Sequence, residues 1–176
     1  VLADLSEHFR CLVLEFPGFG VSDPTDLHPM QAGIQAVGDL MNGLGLDSVD
    51  IIGNSMGGFI GTRYAIAEPE RVRRLVTMGG MGVNLFSSSP AEGINLLMAF
   101  TEDPTKERLV QWLQSMVYDQ SLVTEEMIEQ RWEQATDPDT RKSARKMYSR
   151  TAMQGAAAAA AASDAAPSWA QLHRLK

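Results

Sequence analysis

The chain has 176 residues, enough for one compact domain with a real core but short for a complete α/β enzyme. Apolar residues make up 44% and charged residues 21%, an ordinary globular balance that excludes disorder over most of its length. Fifteen Lys and Arg against 22 Asp and Glu leave a net charge of −7, and no basic run offers the face a nucleic-acid binder needs.

Leu2, Leu5 and Phe9 fall at helical spacing, so residues 1–9 read as the end of an amphipathic helix. Cys11 to Phe16 is a short apolar run stopped by Pro17-Gly18, the pattern of a strand buried on both faces. The lone Cys11 cannot form an intramolecular disulfide, which suits a reducing, cytoplasmic setting. Ile34, Val37, Leu40, Met41 and Leu44 restore helical periodicity, ending at Gly45. Val49 to Ile52 is a second strand, Met56 to Ala67 a helix closed by Glu68-Pro69-Glu70, and Arg74 to Met78 a third strand. Strands separated by single helices cannot pair through hairpins. They predict a parallel sheet with helices on both faces, an α/β core over residues 1–82.

After residue 82 the strand signals vanish. Asp103-Pro104 and Asp137-Pro138 each pair a capping residue with a Pro at the first helical position, and Thr124 precedes Glu125 and Glu126. Residues 83–154 therefore predict three or four helices, most simply a cap inserted over the carboxyl edge of the sheet. The basic residues from Arg141 to Arg150 recur at helical spacing, as on a solvated helix face. Gly155 to Ala166 is nearly all alanine and reads equally as a plain helix or a connector; residues 155–176 lead back towards the core. No stretch reaches the roughly 18 to 20 apolar residues of a membrane span, and no Cys/His cluster has metal-ligand spacing, so neither membrane nor metal is expected.

The chemistry centres on Gly53-Asn54-Ser55-Met56-Gly57. A Gly-x-Ser-x-Gly match is weak alone, but this one follows an apolar strand directly and opens a helix, the setting of a nucleophile elbow. Ser55 then sits on a strained turn with its hydroxyl clear of the sheet, and Gly53 and Gly57 leave room at the crowded junction. The Met56 amide becomes one oxyanion donor, helped by the positive end of the following helix.

Phe16-Pro17-Gly18-Phe19-Gly20-Val21-Ser22-Asp23 resembles a turn of the α/β-hydrolases, and Gly-Asn-Ser-Met-Gly-Gly resembles the elbow of their meta-cleavage product hydrolases. The resemblance extends through Glu68-Pro69-Glu70-Arg71-Val72, Met78-Gly79-Gly80, Asn84-Leu85-Phe86, Pro90-Ala91-Glu92-Gly93 and Met116-Val117-Tyr118-Asp119, and covers residues 1–154. It implies an α/β-hydrolase fold and a cofactor-free enzyme that hydrolyses a carbon–carbon bond in 2-hydroxy-6-oxo-dienoates from aromatic degradation. It also implies a small-molecule dienoate as partner, and leaves a homo-oligomer open. Ser55 corresponds to the nucleophile, Met56 to the oxyanion amide, Asn54 to a neighbour of the site, and Arg131 to a cap arginine gripping the carboxylate end of the substrate. From spacing alone Arg131 reads as a surface residue between Glu129 and Glu133; Trp112, Met116 and Trp132 read equally as pocket lining or packing.

A serine hydrolase also needs a base and an acid that orients it. In this fold both follow the Ser, whereas His8 and His28 precede Ser55 and His173 comes before any strand that carries the acid. Asp23 and Asp164 do not fit the acid's place. The expectation is a fragment of a longer enzyme, inactive by itself and prone to aggregate through uncovered sheet and cap surface. Two rival readings stay open: a carboxylesterase or haloperoxidase-like hydrolase, and a non-catalytic ligand-binding protein of the same fold.

Overall fold

The computed structural model of the chain describes residues 2–79, 92–164, 166 and 168–175. Asn84-Leu85-Phe86 and the expected boundary at residue 82 lie outside the described residues. The first helix is short, α1 (Leu2–Ser6), and leaves Phe9 beyond its end.

The run from Cys11 to Phe16 corrects the expectation of a buried strand. It has no strand partner among the described residues, and Val13 is 75% exposed. Apolar composition prepares a segment for a sheet, but the strand exists only when a neighbour takes up its N–H and C=O groups.

The long helix α2 (Pro29–Gly43) begins where the His28 ring Nδ1 accepts the Met30 N–H at 3.3 Å and Pro29 fills the first position. It leads into β1 (Val49–Asn54), then α3 (Met56–Ala67), a 3₁₀ turn (Pro69–Arg71) and β2 (Val72–Met78). Strands β1 and β2 pair in parallel, with Ile51 beside Leu75 and Asn54 beside Met78. Arg71 locks the underside of this unit: its guanidinium donates to Asn42 Oδ1 at 2.9 Å and to the Leu46 carbonyl at 3.0 Å.

Helix α3 covers one face of the sheet. Gly61 makes the approach possible, since a Cβ there would lie 2.9 Å from Ile51 Cγ2. On its other side α3 packs against α2, where Ile60 fills the space a Gly33 side chain would need. Helices are expected on both faces; among the described residues they cover one. On the second face Ile52, Val76 and Met78 stay about half exposed, because no described element packs there.

Beyond the sheet the described residues form five α-helices: α4 (Glu92–Glu102), α5 (Lys106–Ser115), α6 (Glu125–Thr136), α7 (Pro138–Tyr148) and α8 (Arg150–Ala162). Asp137 caps α7 as expected, its Oδ1 accepting the N–H groups of Asp139 and Thr140, and Thr124 caps α6. Asp103 does not cap α5. That role falls to Thr105, whose hydroxyl accepts the Arg108 N–H, while the Asp103 carboxylate is taken by the Arg108 side chain at 2.6 Å.

Phe100, Leu109, Leu113 and Ile128 form the core of this helical unit. Trp112 and Trp132 both pack on Phe100, at ring-centroid distances of 6.2 and 6.4 Å, so they are packing residues. The alanine run is helical to Ala162, and α8 passes without a break through residues 154 and 155.

Candidate active site

Ser55 stands at the junction of β1 and α3 with φ 48° and ψ −116°, the one non-glycine residue with positive φ among the described residues. Such a conformation costs on the order of 1–3 kcal/mol and persists only where the surroundings impose it. Here both of its backbone groups are committed. The Ser55 N–H donates to the Met78 carbonyl at 2.8 Å, extending the sheet ladder by one residue, and its carbonyl accepts the Phe59 N–H at 3.1 Å.

Gly53 is required by space. A Cβ there would lie 2.4 Å from the Gly57 carbonyl oxygen and 2.6 Å from the Gly58 nitrogen, both rigid backbone. Gly57 differs from expectation. A Cβ at that position would meet Phe16 Cε2 at 4.0 Å, an ordinary contact, so the steric demand of the elbow falls on Gly53. Phe16 is thereby placed beside the elbow, a neighbour that nothing in the local pattern singles out.

The Ser55 side chain is exposed and makes no hydrogen bond to any described residue. Met56 occupies the first position of α3, where a helix leaves its N–H groups unbonded by its own turns. A hydroxyl and an amide so placed can attack a carbonyl carbon and receive the oxygen that becomes negative. Asn54 ends β1 on the exposed side of the strand, next to Met78.

The three histidines are all engaged elsewhere or remote. His28 caps α2, the His173 ring lies 2.9 Å from the Ala170 carbonyl, and His8 follows α1 at the surface. None of them is hydrogen-bonded to Ser55. Arg131 sits on α6, a helix packed on α5 and α7; its guanidinium is exposed and bonds Gln134 Oε1 at 3.2 Å. The structure thus brings Asn54, Ser55 and Met56 together and joins Arg131 to them by no bond. Among the described residues no three His, Cys, Asp or Glu side chains gather as a metal site, and no helix is long and apolar enough to cross a membrane.

The turn that precedes α2 is a built object. Gly18 N–H donates to the Asp23 carbonyl at 2.9 Å, Val21 N–H to Glu15 Oε2 at 3.1 Å, and the Ser22 hydroxyl to the Glu15 carbonyl at 2.8 Å. The α7 helix leans on it. Ser143, 3% exposed, places its hydroxyl where a Gly18 side chain would project, and Gly18 itself has φ +81°.

Comparison with known proteins places this geometry. A 2-hydroxy-6-oxo-6-phenylhexa-2,4-dienoate hydrolase of Burkholderia cepacia is 37% identical over 128 residues, 70% of this chain and 45% of that protein. A 2-hydroxy-6-oxononadienedioate/2-hydroxy-6-oxononatrienedioate hydrolase of Comamonas testosteroni is 36% identical over a stretch of the same length, again 70% of this chain and 45% of the relative. The chain therefore spans about half the length of the curated relatives it matches. Among solved structures, the 2-hydroxy-6-oxo-6-phenylhexa-2,4-dienoate hydrolase of a Rhodococcus strain superposes with a TM-score of 0.77 at 27% identity, over 88% of this chain and 58% of that one. The model of the alpha/beta hydrolase fold family matches residues 1–176, and with the strained serine between a parallel strand and its helix, this chain belongs to that family.

Proposed function

We propose that the whole protein hydrolyses a carbon–carbon bond in a 2-hydroxy-6-oxo-dienoate, with Ser55 as its nucleophile. The observation that carries this reading is the strained Ser55 at the head of α3, its hydroxyl bonded to no described residue, in a chain whose relatives are named as hydrolases of such compounds.

Each site residue has a part in that reading. Ser55 Oγ attacks the ketone carbonyl, and the Met56 N–H receives the oxygen as it turns negative. After the enol has become a ketone, the carbon–carbon bond breaks with its electron pair leaving on the dienoate fragment, which takes up a proton, and water then releases the acyl group from Ser55. Arg131 grips the carboxylate of the dienoate with its planar guanidinium, and Asn54 borders the pocket. The base that takes the Ser55 proton, and the carboxylate that orients it, come from outside the described residues. The 176-residue chain alone is therefore expected to show no turnover.

The test is an assay of the full-length protein with a 2-hydroxy-6-oxo-dienoate beside a short p-nitrophenyl ester. Loss of the dienoate absorbance, abolished by Ser55→Ala, is the expected result. Turnover of the ester alone would assign an esterase, and binding of the dienoate without turnover a ligand-binding protein. Arg131→Ala should raise KM for the dienoate at least about tenfold, the worth of one charge-assisted bidentate contact.

A further inference from the structure

The cap and the core meet at a second place, away from Ser55. Lys146, half-buried on α7, points its ammonium at three successive backbone carbonyls: Thr25 at 3.1 Å, Asp26 at 3.0 Å and Leu27 at 3.4 Å. An ammonium has three N–H donors and no acceptor, so this cradle uses all of them. The partners lie 119 to 121 residues apart in sequence, which makes the contact a tie between two structural units.

The neighbouring ion pair is of another kind. Lys142 Nζ lies 3.2 Å from Asp26 Oδ1, with both side chains more than half exposed. Its hydrogen bond to Lys142 holds the Asp26 carboxyl below the usual carboxylate range, yet an exposed pair of this sort adds little to stability. Carbonyl oxygens cannot be neutralised by protonation and are fixed by the chain, and the bond to Thr25 is partly buried, so the Lys146 contact does not depend on the ionisation of its partners.

The cradle sits where it matters. Thr25 to Leu27 run directly into His28, the cap of α2; α2 packs through Gly33 on Ile60 of α3; and α3 opens at Ser55. A few residues upstream, Ser143 of the same α7 occupies the space above Gly18. Successive turns of α7 are thus seated on the segment that leads into α2, the helix packed on α3.

The geometry points to Lys146 as a positioning residue that latches the helical cap to the core and so sets the height of the cap above Ser55. This inference rests on the reading of residues 92–162 as a cap that bounds the substrate space, but its first test does not need the substrate. In the full-length protein, hydrogen–deuterium exchange should show α7 amides and those of Ala32 and Gly33 opening at least about tenfold more readily in Lys146→Met, with β1 and β2 unchanged. Lys146→Arg, which keeps charge and donors, should recover most of that protection, and Lys142→Met should leave exchange as in the parent. Should the methionine variant fail to fold, Lys146→Gln is read in its place.

Unaltered α7 exchange in Lys146→Met would overturn the latch, and so would faster exchange spread evenly through β1 and β2, which marks general destabilisation. The kinetic arm uses the 2-hydroxy-6-oxo-dienoate. A latch raises KM about tenfold and leaves kcat within a few fold, whereas a fall in kcat alone contradicts it. A parent protein inert towards the dienoate would refute the proposed function and leave the exchange result to decide the latch.

Discussion

The two halves of the chain solve the same burial problem with different success. In the helical unit, Leu109 is fully buried among Phe100, Leu113 and Ile128, and two tryptophans pack against the cluster. In the sheet unit, α3 seals one face while Ile52, 53% exposed, shares the other with Val76 and Met78. Helices satisfy their backbone internally and need only an apolar stripe from each neighbour, so a few consecutive ones can finish a core. A parallel sheet needs partners along both edges and on both faces, and those are seldom adjacent in sequence.

That contrast can be broken by substitution. Leu109→Ala should destabilise the helical unit by about 2–5 kcal/mol, the cost of a cavity in a closed core, measured by chemical denaturation with tryptophan fluorescence as the probe. Ile52→Ala in the 176-residue chain should cost about 1–1.5 kcal/mol, since half of the side chain is already in water. In the full-length protein the same change should cost about 2–3 kcal/mol if parallel strands are covered there on both faces; equal costs would mean that the face stays open. Thr105→Ala, which removes the cap of α5, should cost about 1 kcal/mol and leave the sheet unit untouched by circular dichroism of its own transition.

The smallest effect concerns acid. Hydrogen bonding, led by the Thr140 N–H, holds the Asp137 carboxyl below its ordinary range. A group lowered in the folded state contributes stability that is present above the unfolded value, about 3.9, and is lost as pH falls through the lower folded value. The start of α7 should therefore loosen in that acidic window, and Asp137→Asn should flatten the dependence. A pH profile unchanged by the substitution would remove Asp137 from the account.

The local grammar of the chain was legible. The elbow, the alternation of β1, α3 and β2, and the caps at Thr124 and Asp137 all follow from interactions within a few residues of each other. What escaped depends on distant partners. Cys11 to Phe16 has strand composition but no described strand beside it, and composition cannot report a missing neighbour. Asp103-Pro104 matched a capping pattern, but Arg108 competes for the Asp103 carboxylate and Thr105 is the better-placed cap. Lys146 looked like one more charge on a basic helix face, because nothing local reveals three carbonyls more than a hundred residues upstream. For Gly57, the pattern offered a steric reason that only Gly53 bears out.

The conformation of Ser55 carries a consequence for how such a chain can change over time. With its N–H held by Met78 and its carbonyl by Phe59, this residue cannot relieve its strain by turning; only a residue without a Cβ would sit there at ease. Ser55→Gly is thus a change that folding alone would favour and that the proposed reaction would forbid. Under the function proposed above, a serine in that backbone keeps its reactivity at the expense of a more comfortable fold.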